Sequence, residues 1–248
     1  MRNIRLLIEY DGSRYDGWQR LGKSGGNDTI QSRLETVLSR LTDETVNVIG
    51  SGRTDKGVHA AGQVANFHTC TDMSCEELRD QMNRYLPEDI GILDAREAAP
   101  RFHSRLNALS KTYVYRIATG PCPCVFDRKY SWYAPWVTDV EKMREAARLL
   151  VGEHDFLGFS SVRRTNKSTV RCIREIRIEK QERQLRLVFV GDGFLYHMVR
   201  ILTGTLAEIG AGKRAPQSVE DVLLSKNREM AGVMAPPQGL CLENVRYM

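Results

Sequence analysis

No apolar run in the sequence approaches the length that a bilayer-spanning helix needs, which argues against a helical membrane protein. The opening MRNIRLLIEYDG has an early cation, but its short apolar stretch stops at Glu9, so no secretory leader is expected and a cytoplasmic protein is the default. Metal-ligand spacing is also missing. Six cysteines stand at positions 70, 75, 122, 124, 172 and 241, and only Cys122 and Cys124 are close. Their C-x-C separation is shorter than zinc sites use, so reduced thiols and no metal are expected. Charge of one sign is scarce as well. The 36 Lys and Arg against 31 Asp and Glu leave +5, too little to imply a polyanionic partner by itself. What is present is apolar material, 42% of 248 residues, enough for one large domain or two small ones.

Hydrophobic periods divide that material into two similar halves. Arg5–Tyr10 reads as a strand. Behind a capping arrangement of Asp28 with Gln31, residues Ile30, Leu34, Val37, Leu38 and Leu41 share one helical face. Thr45–Ile49 and Gln63–His68 read as strands, Ser74 with Glu77 caps a helix facing inward through Leu78, Met82 and Tyr85, and Ile90–Arg96 closes. The order is βαββαβ. It recurs as strand Thr112–Ala118, helix Asp139–Leu150, strands Val170–Glu179 and Leu185–Val190, a long helix Phe194–Ile209, a short helix Ser218–Leu224 and a closing strand Leu240–Tyr247. The expected class is therefore α+β, with two ferredoxin-like halves over 1–104 and 105–248. Joining their sheets edge to edge into one mixed, mainly antiparallel sheet would hide the edges and leave a central cleft.

Chemistry concentrates in SGRTDKGVHA, Ser51–Ala60. Two glycines bracket a turn in which Asp55 stands beside Arg53 and Lys56, cations that favour an ionised carboxylate ready to attack an electrophile or take a proton. On the residues alone, Asp55 is more readily a surface turn residue held by an Asx hydrogen bond. A second feature is the basic stretch Ser161–Arg177, where Arg163, Arg164, Lys167, Arg171, Arg174 and Arg177 face the single acid Glu175. Such a run is either a solvated face or a surface for a phosphate backbone.

Five blocks in order along the chain resemble the tRNA pseudouridine synthase A family: YDGSRYDGWQ with TIQSRLE, GSGRTDKGVHAAGQVANF, KTYVYRI, FLYHMVRILTG and PPQGLCLENVRY. The resemblance implies a cytoplasmic homodimer with the pseudouridine synthase fold. It also implies isomerisation of uridine to pseudouridine in the anticodon stem-loop of tRNA, without cofactor or metal. By the same resemblance Asp55 is the nucleophile, Tyr113 lies against the target base and Arg200 pairs with the catalytic carboxylate. Leu240 packs beneath the base, and Arg53 helps displace the target nucleotide. Lys56 stands where many members have Ala, His197 where Asn is common, and the Gly22–Asp28 link is longer than usual.

The implied reaction breaks the ribose C1′–N1 bond, turns the base and joins C1′ to C5, so neither oxidant nor outside atom enters. Whether Asp55 attacks C1′ or the uracil ring is open. Tyr113 and Tyr115 point to the same sheet face, and spacing does not separate their roles. Arg200 by spacing alone is equally a solvent-facing residue of its helix. The target base must leave its stack, and Arg163, Arg164, Lys167, Arg101, Arg105 and Lys111 are candidates for the phosphate contacts that offset this. Three alternatives stand beside this reading: a ribosomal RNA target, an RNA-binding module without chemistry, and a hydrolase using Asp55 with His59. The second lacks the Gly- and Phe-rich strand motif of common RNA-recognition domains, and the third lacks further acidic or histidine partners.

Overall fold

The computed structural model describes residues 1–20, 28–162 and 167–248. They form two units, Met1–Leu109 with Cys241–Met248, and Ser110–Leu240.

In the first unit, strand β1 (Arg2–Tyr10) runs antiparallel to both β3 (His59–Thr69) and β4 (Ile90–Ala98), while the two-residue β2 (Ile49–Gly50) pairs with β3. Alternation explains β1: Ile4, Leu6, Ile8 and Tyr10 are buried. Helix α1 (Ile30–Thr42) buries Ile30, Leu34, Val37 and Leu38. Its cap is Thr29 with Ser32, one residue along from the expected Asp28 and Gln31, because Thr29 supplies the hydroxyl that receives the Ser32 N–H. Helix α2 (Cys75–Tyr85) is capped by Ser74 onto the Glu77 N–H and buries Leu78 and Met82, but Tyr85 is 59% exposed rather than part of the packed face. The strand expected over Thr45–Ile49 is irregular up to β2. There the Glu35 carboxylate and the Ser39 hydroxyl take the N–H groups of Val48 and Val46 in place of a sheet ladder.

The second unit holds β5 (Ser110–Ala118), β6 (Trp132–Tyr133), β7 (Gly152–Asp155), β8 (Val170–Lys180) and β9 (Gln184–Gly191), in the sheet order β5-β9-β8-β7 with β6 parallel to β5. Helices α3 (Val140–Leu149), α4 (Met198–Gly210) and α5 (Ser218–Ser225) complete it. Helix α4 is buried on nearly every side, as a helix apolar all round must be. It begins four residues later than expected from Phe194, because His197 adopts a left-handed backbone (φ 63°) that no α-helix continues through.

The closing strand β10 (Leu240–Arg246) pairs in parallel with β3 through Cys241–His59 and Leu242–Ala60, so residues 241–248, like 105–109, belong with the first unit rather than with Ser110–Leu240. A buried strand's alternation shows that it is a strand, not which neighbour it takes. The α+β class is as expected, and the first unit carries the βαββαβ order.

Candidate active site

The loop from β2 to β3 carries Asp55, and it is held at almost every residue. The Ser51 N–H donates to the Val64 carbonyl (2.7 Å), while Gln63 accepts from the Ser51 hydroxyl (2.6 Å) and donates to the Gly52 carbonyl (3.1 Å). The Trp18 N–H donates to the Thr54 carbonyl at 3.0 Å, and the Tyr10 and Thr54 hydroxyls lie 2.8 Å apart. The Val58 N–H closes a turn onto the Asp55 carbonyl at 3.1 Å, with Gly57 at φ +77° where an L side chain would be strained. A further contact needs glycine outright. Gly17, at φ +94°, would place a Cβ 2.6 Å from the Thr54 carbonyl oxygen. Thus the YDGSRYDGWQ segment is a cradle for the Asp55 loop. Its two Asp-Gly steps make the close turns.

Electrostatics within this cradle differ from the sequence expectation in one respect. Lys56 Nζ lies 2.8 Å from Asp16, so one of the two cations flanking Asp55 is matched to another carboxylate, which also raises the Lys56 pKa. Arg53 is exposed and Asp55 half-buried. His59 is buried, with Nδ1 3.1 Å from both the Gly12 N–H and the Asp11 carboxylate. That ring nitrogen therefore serves to hold the turn that follows β1. Burial above all raises the Tyr10 phenol well beyond its ordinary range, so it stays protonated beside Thr54.

In the second unit the structure separates the two tyrosines of the Y-x-Y strand. Tyr115 is fully buried, donates its hydroxyl to the Pro236 carbonyl at 2.7 Å and meets Trp132 edge-on. Burial raises its pKa and the charge of Arg200 opposes the rise. Tyr113 keeps a small exposed area, and its ring meets Phe194 edge-on at 5.3 Å. Arg200 stands in the first turn of α4 and is only 7% exposed, unlike the solvent-facing alternative. Its Nε donates to the Ala235 carbonyl at 2.8 Å, and its own carbonyl accepts from the Ala235 N–H at 3.1 Å. A guanidinium buried at the positive end of a helix needs partners to offset its desolvation, and the Ala235 carbonyl is one of them. Leu240 is buried just after the short helical turn Pro237–Gly239. Gly239 has no room for a side chain, since a Cβ would lie 2.6 Å from the Tyr115 ring.

Arg163, Arg164 and the Gly22–Asp28 link up to residue 27 lie outside the described residues. Lys167, Arg101 and Arg105 are exposed, and Lys111 is half-buried. The far end of the basic stretch is less cationic than its composition suggests. Arg177 lies 3.4 Å from Glu175 and 3.8 Å from Glu179, and Glu179 also meets Arg186 of β9 at 3.0 Å. Sequence reasoning did not find the Ala235–Pro236 strap or the packing of Phe194 on Tyr113. The adjoining prolines 236 and 237 mark a fixed turn but do not say what rests on it.

Comparison with known proteins places these features in one family. A family model described as tRNA pseudouridine synthase matches residues 6–106 and 146–248. The tRNA pseudouridine synthase A of Bacillus sp. (strain KSM-64) is 44% identical over 247 residues, covering 100% of both chains. That of Clostridium kluyveri (strain ATCC 8527 / DSM 555 / NBRC 12016 / NCIMB 10680 / K1) is also 44% identical over 247 residues, with 100% of both chains covered. A solved archaeal box H/ACA sRNP Nop10–Cbf5 complex is similar at a TM-score of only 0.37 and 13% identity, over 92% of this chain and 60% of that one, a likeness too slight to carry weight. With a family match through both units and relatives that align end to end, the chain belongs to the tRNA pseudouridine synthase family of isomerases.

Proposed function

We propose that the protein isomerises uridine to pseudouridine in the anticodon stem-loop of tRNA, with Asp55 as nucleophile. The observation that carries this reading is the fixed Asp55 loop. A carboxylate in a plain surface turn does not need a preceding segment, Tyr10–Trp18, folded around it through hydrogen bonds and glycine-only approaches. Asp55 bonds to the nucleotide, the C1′–N1 bond breaks, the base turns and C5 joins C1′; the bond to Asp55 breaks to restore the carboxylate, and C5 loses a proton while N1 gains one. Tyr113 lies against the base and takes the C5 proton, and Leu240 packs beneath the base. Arg200 is the counter-charge of the catalytic carboxylate, and Arg53 helps displace the target nucleotide. Arg163, Arg164 and Lys167 bind the RNA backbone. No electrons or outside atoms enter, so the balance requires no cofactor. Family membership supports a cytoplasmic homodimer as the working form.

Tritium release from transcribed tRNA carrying 5-tritiated uridine tests this directly. Release by the wild type and none by Asp55→Asn is the expected result. If the wild type releases nothing from tRNA but does so from ribosomal RNA, the anticodon-arm assignment is wrong while the chemistry stands.

A further inference from the structure

Between β9 and α4 the chain presents an aromatic pair to solvent. Tyr196 is 57% exposed, and its ring stacks on His197 with centroids 3.6 Å apart and planes inclined at 29°. The pair is built rather than draped. His197 holds the left-handed backbone noted above, outside the helix, and makes no side-chain cap. Its Nδ1 instead lies 2.9 Å from the Ser161 hydroxyl, and the Ser161 N–H donates to the Tyr196 carbonyl at 3.1 Å. Histidine is among the residues enriched in left-handed backbone, so His197 holds this conformation while placing a ring under Tyr196.

Positive charge lies alongside. The Arg171 Nε sits 3.6 Å from the Cβ position of Gly193, three residues before Tyr196. Among the described residues its guanidinium donates to the carbonyls of Ser168 and Val170, which carry no full negative charge. The acid nearest to Tyr196 in sequence, Asp192, accepts the Cys172 N–H at 3.1 Å. An exposed ring stacked on a second ring, with a guanidinium packed on the same short segment at Gly193, has the composition of a surface for single-stranded RNA. A base lies on the ring face and its phosphate meets the cation.

We propose that the Tyr196–His197 pair is a stacking platform for one unpaired base of the RNA substrate, with Arg171 contacting the adjoining phosphate. This rests on the RNA-modifying function above and names a second point of contact for the same substrate. The platform selects unpaired loop nucleotides without reading their identity, since every base offers a face to stack.

The test compares wild type, Tyr196→Ala and Tyr196→Phe by fluorescence anisotropy, using a labelled unmodified anticodon-arm hairpin and a fully paired RNA duplex of equal length. Tyr196→Ala weakens hairpin binding by about fivefold to a hundredfold, the range for one base on one aromatic ring, and changes duplex binding less than about twofold. Tyr196→Phe binds the hairpin like the wild type. Equal loss on both RNAs overturns the proposal, as does hairpin affinity of Tyr196→Ala within about twofold of wild type, or a wild type that does not bind the hairpin. A Tyr196→Ala protein that changes its oligomeric state on a sizing column while keeping hairpin affinity assigns the ring to a protein contact and overturns it too. Wild-type protein that binds the hairpin but releases no tritium from tRNA refutes the function above and leaves this comparison readable.

Discussion

The hydroxyl of Tyr10 lies 2.8 Å from Oγ1 of Thr54, the residue before Asp55, and both side chains are buried. The contact ties the last residue of β1 to the loop that carries the carboxylate. Replacing Tyr10 by Phe keeps the ring and leaves the Thr54 hydroxyl buried without this partner. A loss of about 1–3 kcal/mol in urea unfolding is expected. Turnover in the tritium assay falls by about tenfold or more with KM little changed, because the carboxylate is displaced rather than the RNA-binding surface. An unchanged turnover would show that Trp18 and Gln63 hold the loop without help.

Arg200 and Tyr115 end on consecutive carbonyls, those of Ala235 and Pro236. Gly239, beside the Tyr115 ring, is the tightest point of this arrangement. Gly239→Ala places a methyl against the ring and against the Arg116 carbonyl, 2.9 Å away, so something must shift. The expected cost is about 1–3 kcal/mol, with lowered turnover as the strap that holds Arg200 moves. Full stability with full turnover would show that the turn Pro237–Gly239 absorbs the methyl.

Lysine at position 200 keeps the charge but has no Nε–H in the place that meets the Ala235 carbonyl. Arg200→Lys is therefore expected to fold and yet lose turnover by about a hundredfold, whereas Arg200→Ala loses both turnover and about 3–5 kcal/mol of stability. Thermal unfolding beside tritium release separates the two. A lysine variant as active as wild type would reduce the role of Arg200 to charge alone.

Much of this was legible in the sequence, and the remainder has physical reasons. Ile4, Leu6 and Ile8 alternate and Leu78 and Met82 share a helical face, so β1 and α2 follow from period alone. Asp55 stood out because glycines and cations crowd one short segment. The cradle did not, because the contacts of Tyr10 and Trp18 with Thr54, and of the Tyr15 carbonyl with the Gly57 N–H, join residues about forty apart in the chain, and no local pattern encodes them. Tyr113 and Tyr115 illustrate the same limit. Their spacing puts both on one face, and only the tertiary partners, Phe194 for one and Pro236 for the other, tell them apart. The late start of α4 turned on the backbone angle of a single residue, His197.

Asp155 provides a pH-dependent test near the edge of the basic stretch. Burial raises its pKa, but hydrogen bonds from Lys226, Thr169 and the Leu157 N–H outweigh this and hold it below the ordinary 3.8. A carboxyl whose folded pKa is depressed contributes stability above its unfolded value and loses it as pH falls through the folded one. Wild type is thus expected to lose stability progressively below about pH 4, and Asp155→Asn to show a flatter profile with lower stability at neutral pH. Urea unfolding at a series of pH values reads both. Parallel profiles for the two proteins would mean that other carboxylates carry the acid sensitivity.

Salt dependence of RNA binding distinguishes the two ends of β8. Arg177 shares Glu175 and Glu179, so an RNA phosphate would have to compete with two carboxylates for it, while the Arg171 guanidinium donates to the carbonyls of Ser168 and Val170. Each phosphate neutralised by the protein releases counterions, which makes log affinity fall linearly with log salt. Arg171→Ala is expected to reduce that slope by about 1 and Arg177→Ala to leave it unchanged. Hairpin affinity measured at several salt concentrations gives both slopes. The same fall for each variant would show that RNA docking rearranges the Glu175–Arg177–Glu179 cluster, and a zero slope in the wild type would remove charge from the account of binding altogether.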